Sequence, residues 1–215
     1  MRVANSMLVL AAAMALPVGA RAAEADTMRV TGAITAHNAC SLTLSNGGAL
    51  SYGIIAADTL PPGTATLPEK SVQVSVVCSV PTYFALSLED MRQTSDVYTR
   101  LFDFRKDRNG QRIGLYQLRT INNATVNGSS GFVVAWTTGG TDATPGCCWA
   151  PTSERWGTRI TNDVRGFNQG GSTLASVTSA QFDVKVEAFI YSRTNWTLDG
   201  AQPLDGMFVM DLFYL

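Results

Sequence analysis

Beyond residue 22, apolar residues recur at every second position in run after run, and no segment repeats them every three to four. Val72, Val74, Val76 and Cys78 alternate with Ser71, Gln73, Ser75 and Val77, and Phe84, Leu86 and Leu88 resume the pattern after a break at Pro81. Phe182, Val184, Val186, Ala188 and Ile190 alternate with Asp183, Lys185 and Glu187, and Phe208, Met210, Leu212 and Tyr214 share one face of a last run. A period of two puts successive side chains on opposite faces of an extended chain. Each run therefore predicts a strand with one face on a core and the other toward water. Phe132 to Trp136 is apolar without a break and predicts a more deeply buried strand. Shorter strands are expected over 28–36, 40–44, 49–53 and 112–121. Asn46-Gly47-Gly48, Pro61-Pro62-Gly63 and Asn127-Gly128 supply turns, the first as a hairpin between two short runs. The segments 89–111 and 138–172 exceed ordinary loop lengths and are expected to be functional or partly structured. Many short strands punctuated by turns predict an all-β antiparallel sandwich or barrel.

Residues 1–22 read differently. Arg2 precedes an apolar stretch from Met7 to Val18, which is shorter than the roughly 20 residues a membrane-spanning helix needs. Ala20-Arg21-Ala22 fits the small-x-small cleavage rule, so a signal peptide over 1–22, cut before Ala23, is expected. No later run is long enough to span a bilayer, and the mature chain is expected to have no transmembrane span. Export brings the four cysteines into an oxidising compartment. Four cysteines allow three pairings, and sequence alone does not choose among them. Cys40–Cys78 is the working expectation; a loop of roughly 40 residues is worth about 4 kcal/mol of chain entropy. Cys147 and Cys148 are neighbours with Cα atoms about 3.8 Å apart, below the usual disulfide range. A bond between them would be strained, and free thiols or bonds to another chain stand as alternatives.

The charge balance excludes several classes. Sixteen basic residues are offset by seventeen acidic ones, and no Lys/Arg stripe forms, so no nucleic-acid partner is expected. His37 is the one histidine, which removes histidine-rich metal sites and histidine-based triads. Adjacent Glu89 and Asp90 would point to opposite faces if a strand reaches them and so form no acid/base pair; a solvated loop start is expected there. Asp107-Arg108-Asn109-Gly110 resembles the middle of a calcium loop, but Arg105 stands where such a loop needs an acidic ligand, so a plain turn is expected. Phosphate-loop, nucleophile-elbow and zinc-protease motifs do not occur. The expectation is a protein that is not an enzyme and carries no cofactor and no metal. Trp136, Trp149 and Trp156 fall close together and make a possible ligand platform for a sugar ring; core packing is the competing expectation.

The two ends carry a resemblance. Gly32-Ala33-Ile34-Thr35, followed by Ala39-Cys40, resembles the first strand of chaperone–usher pilus subunits. Cys78 inside an alternating strand fits their single bridge, and the final alternating strand with penultimate Tyr214 fits their chaperone-recognition end. More narrowly, the chain resembles a family of uncharacterised fimbria-like secreted proteins. The matching pieces are Ser51-Tyr52-Gly53, Leu67-Pro68-Glu69-Lys70, Cys78 to Pro81, Asp90-Met91-Arg92, Ile113-Gly114-Leu115-Tyr116 and Leu204-Asp205-Gly206, in that order along the chain.

The resemblance implies an incomplete immunoglobulin-like antiparallel β-sandwich, pilin-like, over 32–215, with 23–31 as an N-terminal arm. It implies a structural subunit of a bacterial surface fimbrium, assembled by donor-strand exchange. Met28 and Val30 would be donor-strand residues, and Phe208, Met210, Leu212 and Tyr214 would face the chaperone's or neighbour's strand. The implied partners are a periplasmic pilus chaperone, an outer-membrane usher and neighbouring fimbrial subunits. The implied location is the cell surface or the extracellular space, reached through the periplasm. Gln202 stands where pilus subunits tend to carry Gly, and the arm is short, which suits a minor, terminal or adaptor subunit. The alternative is a secreted carbohydrate-binding, adhesive sandwich whose partner is a host or surface glycan held by the Trp136–Trp156 region.

Overall fold

The computed structural model describes residues 40–92, 101–137, 143–152, 155–157, 163–197, 200 and 202–215, all within the unit Thr35–Leu215. The expectations for the signal peptide, for Met28 and Val30 and for His37 lie outside the described residues. The strands are β1 (Cys40–Leu44), β2 (Ala65–Thr66), β3 (Lys70–Thr82), β4 (Phe84–Asp90), β5 (Phe102–Asp103), β6 (Gly114–Val126), β7 (Ser129–Trp136), β8 (Trp149–Pro151), β9 (Arg155–Trp156), β10 (Arg165–Asn168), β11 (Val177–Ile190) and β12 (Phe208–Tyr214). Besides these there are only short 3₁₀ turns among the described residues, and none of their helices is long and apolar enough to cross a membrane.

The alternating runs became the long strands for the reason their period implies. Val72, Val74 and Val76 of β3 are buried while Gln73 is exposed, and Phe182, Val184 and Val186 of β11 are buried beside more exposed neighbours. The unbroken run in β7 is covered on both sides: Val133 faces the main core and Val134 a second, smaller one. Asn127 and Gly128 link β6 to β7 as a two-residue turn with φ of 51° and 76° and with Val126 opposite Ser129. Both central residues are left-handed, as the tight hairpin turn matching strand twist requires.

The strands pair antiparallel along a single path, β1-β3-β11-β6-β7-β10-β4-β12, with β2, β5, β8 and β9 added at its sides. The path folds over itself at the β6–β7 hairpin and at Tyr83, the one residue between β3 and β4. Pro81 sits just before that corner, inside β3 rather than ending it. The β3–β11 register slips between Ser179↔Val77 and Val177↔Thr82, where proline cannot donate to the ladder. The result is an all-β, sandwich-like, nearly barrel-like fold. Its main core includes Val74, Val76, Leu86, Leu88, Leu118 and Val184.

One expectation needs correction. Residues 49–53 form no strand. The Asn46-Gly47-Gly48 turn has left-handed residues throughout, but it leads into a chain with no ladder partner, and Gly53 at φ 67° breaks its extension. β1 pairs instead with β3, where Cys40 lies directly opposite Cys78. The segment 138–172 is partly structured, as expected: its described residues contain β8, β9 and β10 and supply Trp149 and Val164 to the second core with Ala85, Val134 and Leu174. These strands are two to four residues long, too short to show a period of two.

Candidate functional site

Among the described residues, β1 and β12 are the two ends of the pairing path, so each has one edge with no described strand beside it. The Cys40 backbone N–H of β1 donates to the Tyr214 hydroxyl of β12 at 3.0 Å. On the β1 side, Leu42, Leu44, Leu50 and Tyr52 pack on the main core but stay partly open; on the β12 side, Leu204, Phe208, Met210 and Leu212 do the same. Inward-facing apolar side chains left half-covered on both edges define an apolar slot. Leaving such surface wet costs about 25 cal/mol per Å².

The slot deepens near the start of β12. A cavity of about 470 Å³ is walled by Ile54, Ile55, Ile113, Ile190, Trp196 and Leu204. A smaller one of about 220 Å³ is walled by Leu50, Tyr52, Phe104, Tyr116, Gly206 and Phe208. They share Gly53 and Leu204, so they adjoin. Ile54 is fully exposed at the mouth of the larger cavity. Tyr52 is fixed by its hydroxyl, which donates to the Val186 carbonyl at 3.3 Å, and by Lys70, whose ammonium lies 5.2 Å from the ring centroid.

The chain leading into β12 is pinned by polar contacts. Arg92 bridges to Asp205 at 2.7 Å, the Met91 N–H donates to the Met207 carbonyl, and Arg105 N–H donates to the Asp205 carbonyl. Asp90 accepts the backbone N–H groups of Arg92 and Asp103 at 2.8 and 2.9 Å, so this buried carboxylate organises the end of β4. The pair therefore does not open a solvated loop as expected: the strand runs on to Asp90, and exposed Glu89 points the other way, as its neighbouring position in β4 requires. Asp107 likewise closes a turn: it accepts N–H groups from Asn109, Gln111 and Thr197. Burial acts to raise its pKa, but those three donors outweigh it and the net shift is downward. No acidic, cysteine or histidine cluster able to hold a metal occurs among the described residues.

Residues 28–130 match the model of a family described as "Protein of unknown function (DUF1120)". No curated protein matches the chain. The DUF1120 match takes in β1 through β6, and with them Tyr52, Ile54, Ile113 and Tyr116 of the slot. Leu204, Gly206 and β12, which form the opposite wall, lie beyond it.

Of the residues singled out from the sequence, Cys40 and Cys78 form the expected disulfide. Cys147 is joined to Cys148, with Cys148 in the left-handed region at φ 71°. Phe208, Met210 and Leu212 line the slot and Tyr214 spans to the other edge. Trp149 and Trp156 are 2% and 0% exposed, in the second and the main core respectively, and only Trp136 is half-open. Their indole N–H groups donate inward, Trp149 to Thr144 and Trp156 to Asp163. No three-ring platform forms. Tyr52, Ile54, Tyr116, Trp196 and Gly206 went unrecognised as site residues. The short motifs Ser51-Tyr52-Gly53, Ile113-Gly114-Leu115-Tyr116 and Leu204-Asp205-Gly206, far apart in sequence, were the signal, because all three border the two cavities.

Replacing Tyr214 with Phe removes the hydrogen bond between the Cys40 N–H and the Tyr214 hydroxyl while keeping the ring. The change is expected to cost no more than about 1 kcal/mol in urea unfolding, because the group is half-exposed and water replaces its partner.

Proposed function

We propose that this chain is a structural subunit of a bacterial surface fimbrium, of the chaperone–usher kind, whose fold is completed by a strand from another polypeptide. The observation that supports the reading is the pairing path of the described residues, which does not close: its end strands, β1 and β12, flank an apolar slot and are joined by the Cys40–Tyr214 hydrogen bond. These features support the reading of an incomplete immunoglobulin-like sandwich. An inserted strand would satisfy backbone groups on both edges, and its alternate side chains would enter the slot. Phe208, Met210 and Leu212 then contact first a periplasmic chaperone's strand and later a neighbouring subunit's. Met28 and Val30 serve as this chain's own donor residues. The chain passes through the periplasm to the cell surface, where its role is structural rather than catalytic. A sugar platform on Trp136, Trp149 and Trp156 receives no support from two rings buried in cores.

The test is production of the exported chain with and without a pilus chaperone. Alone, it is expected to aggregate or be degraded. With the chaperone, it is expected to be recovered as a soluble one-to-one complex. A stable, soluble monomer in the absence of any strand donor overturns the reading.

A further inference from the structure

Cys147 and Cys148 lie away from the slot, just before β8, and are joined to each other. Cys147 is exposed and Cys148 half-buried. A bond between adjacent cysteines closes a small ring that contains the Cα–C bond of Cys147 and the N–Cα bond of Cys148. It therefore restricts ψ of the first residue and φ of the second. Cys148 stands at φ 71°, in the left-handed region that a residue with a Cβ rarely enters. Its carbonyl accepts from the Thr137 N–H at 2.9 Å and from the Thr137 hydroxyl at 2.8 Å, just past the end of β7. The same segment closes around Trp149. The Trp149 indole N–H donates to the Thr144 carbonyl at 2.8 Å, its backbone N–H donates to the Ser172 carbonyl, and the Leu174 N–H donates to the Pro145 carbonyl. Residues 144–148 are thus a clasp beside the second core, which holds Trp149 with Ala85, Val134, Val164 and Leu174.

We propose that the Cys147–Cys148 bridge is a redox-sensitive latch on this clasp: a dithiol opens it in the folded chain, ahead of Cys40–Cys78, and releases the Cys148 carbonyl from Thr137. A thiolate of the dithiol attacks the exposed Cys147 sulfur to form a mixed disulfide, and Cys148 leaves as a thiolate that takes up a proton. The second thiol of the reductant attacks its own sulfur in the mixed disulfide, and Cys147 leaves in the same way. Two electrons and two protons pass to the protein, and the dithiol departs as a disulfide. Linkage orders the two bridges, because a fold strengthens a disulfide as much as the disulfide strengthens the fold. Cys40 and Cys78 are directly opposite in the β1–β3 ladder at a sequence separation of 38, so folding brings together two thiols that the unfolded chain keeps apart. Cys147 and Cys148 are neighbours in either state, and folding gives their bridge no such help. Opening it also lets Cys148 return to negative φ, which favours the dithiol form. Access runs the same way: Cys147 is exposed, whereas Cys78 is packed in the main core.

The experiment titrates the full exported chain, soluble alone or in complex with a pilus chaperone, with dithiothreitol. Free thiols are trapped with iodoacetamide and assigned by peptide mass mapping, and tryptophan fluorescence and amide hydrogen exchange are read alongside. Cys147 and Cys148 are expected to become alkylated at a dithiothreitol concentration about tenfold or more below the one that opens Cys40–Cys78. Over the same interval tryptophan emission is expected to shift to the red and the Thr137 amide to exchange faster, while the β3–β11 ladder stays protected. Cys147→Ala combined with Cys148→Ala is expected to show the fluorescence and exchange of the opened parent at every dithiothreitol concentration. Opening of Cys40–Cys78 first, or at the same concentration, overturns the proposal. Alkylation of Cys147 and Cys148 before any reductant is added overturns it as well, and so does an opening that leaves Thr137 exchange unchanged. Should the double variant fail to fold, the titration of the unaltered chain decides.

Discussion

Trp149→Ala and Trp156→Ala are each expected to lower the stability of the fold by about 3–5 kcal/mol, the range for truncating a large buried aromatic side chain. Trp156 packs in the main core with its ring centroid 6.4 Å from that of Phe182, and the Arg165 guanidinium lies 5.7 Å from its centroid. Trp149 packs in the second core against Trp136 at 5.3 Å. Each truncation leaves a cavity and also strands a backbone carbonyl, that of Asp163 or of Thr144, which now accepts an indole N–H. For a domain of this size, 1 kcal/mol corresponds to about 2–4 °C in Tm, so a fall of roughly 6–20 °C is expected in a calorimetric scan. Ligand-platform residues would behave in the opposite way, losing glycan binding with Tm unchanged. A normal Tm for both variants would mean that these rings are not the packing residues their burial makes them.

The long strands were legible because burial on one face writes a period of two into the sequence, and β12 occupies the interval over which Phe208, Met210, Leu212 and Tyr214 alternate. The Asn127-Gly128 turn was legible because few residue pairs tolerate two consecutive left-handed conformations. What failed to show was structure held by distant contacts. β8, β9 and β10 exist because Val134, Leu118 and Val133 lie opposite them across the ladder, and a run of two to four residues records nothing of that. The tryptophan cluster misled for a related reason. Proximity in sequence is not proximity in space, and the rings at 149 and 156 enter different cores. The slot shows the converse. Tyr52, Tyr116 and Gly206 are far apart in sequence, and only the return of the pairing path toward its first strand brings them to one cavity. The half-covered face of β12 was foreseeable from its alternation.

Replacing both Cys40 and Cys78 with Ala is expected to destabilise the chain by about 4 kcal/mol or more, measured by urea unfolding. The bridge closes a loop of sequence separation 38, whose freedom in the unfolded chain is the main loss. Buried Cys78, at 6% exposure, also leaves a small void when shortened. The position magnifies the effect. Among the described residues β1 pairs with β3 alone, over five register pairs, so the bridge adds to a ladder on one side and to half-covered leucines. β1 is also one wall of the slot, so strand affinity should fall together with stability. The pair Cys147 and Cys148 provides the control. Joining adjacent residues constrains almost none of the unfolded chain, so their double replacement by Ala is expected to cost less than about 1 kcal/mol. Equal losses from the two double variants would show that loop closure is not what the Cys40–Cys78 bridge contributes, and the firm attachment of β1 would then have to come from the ladder alone.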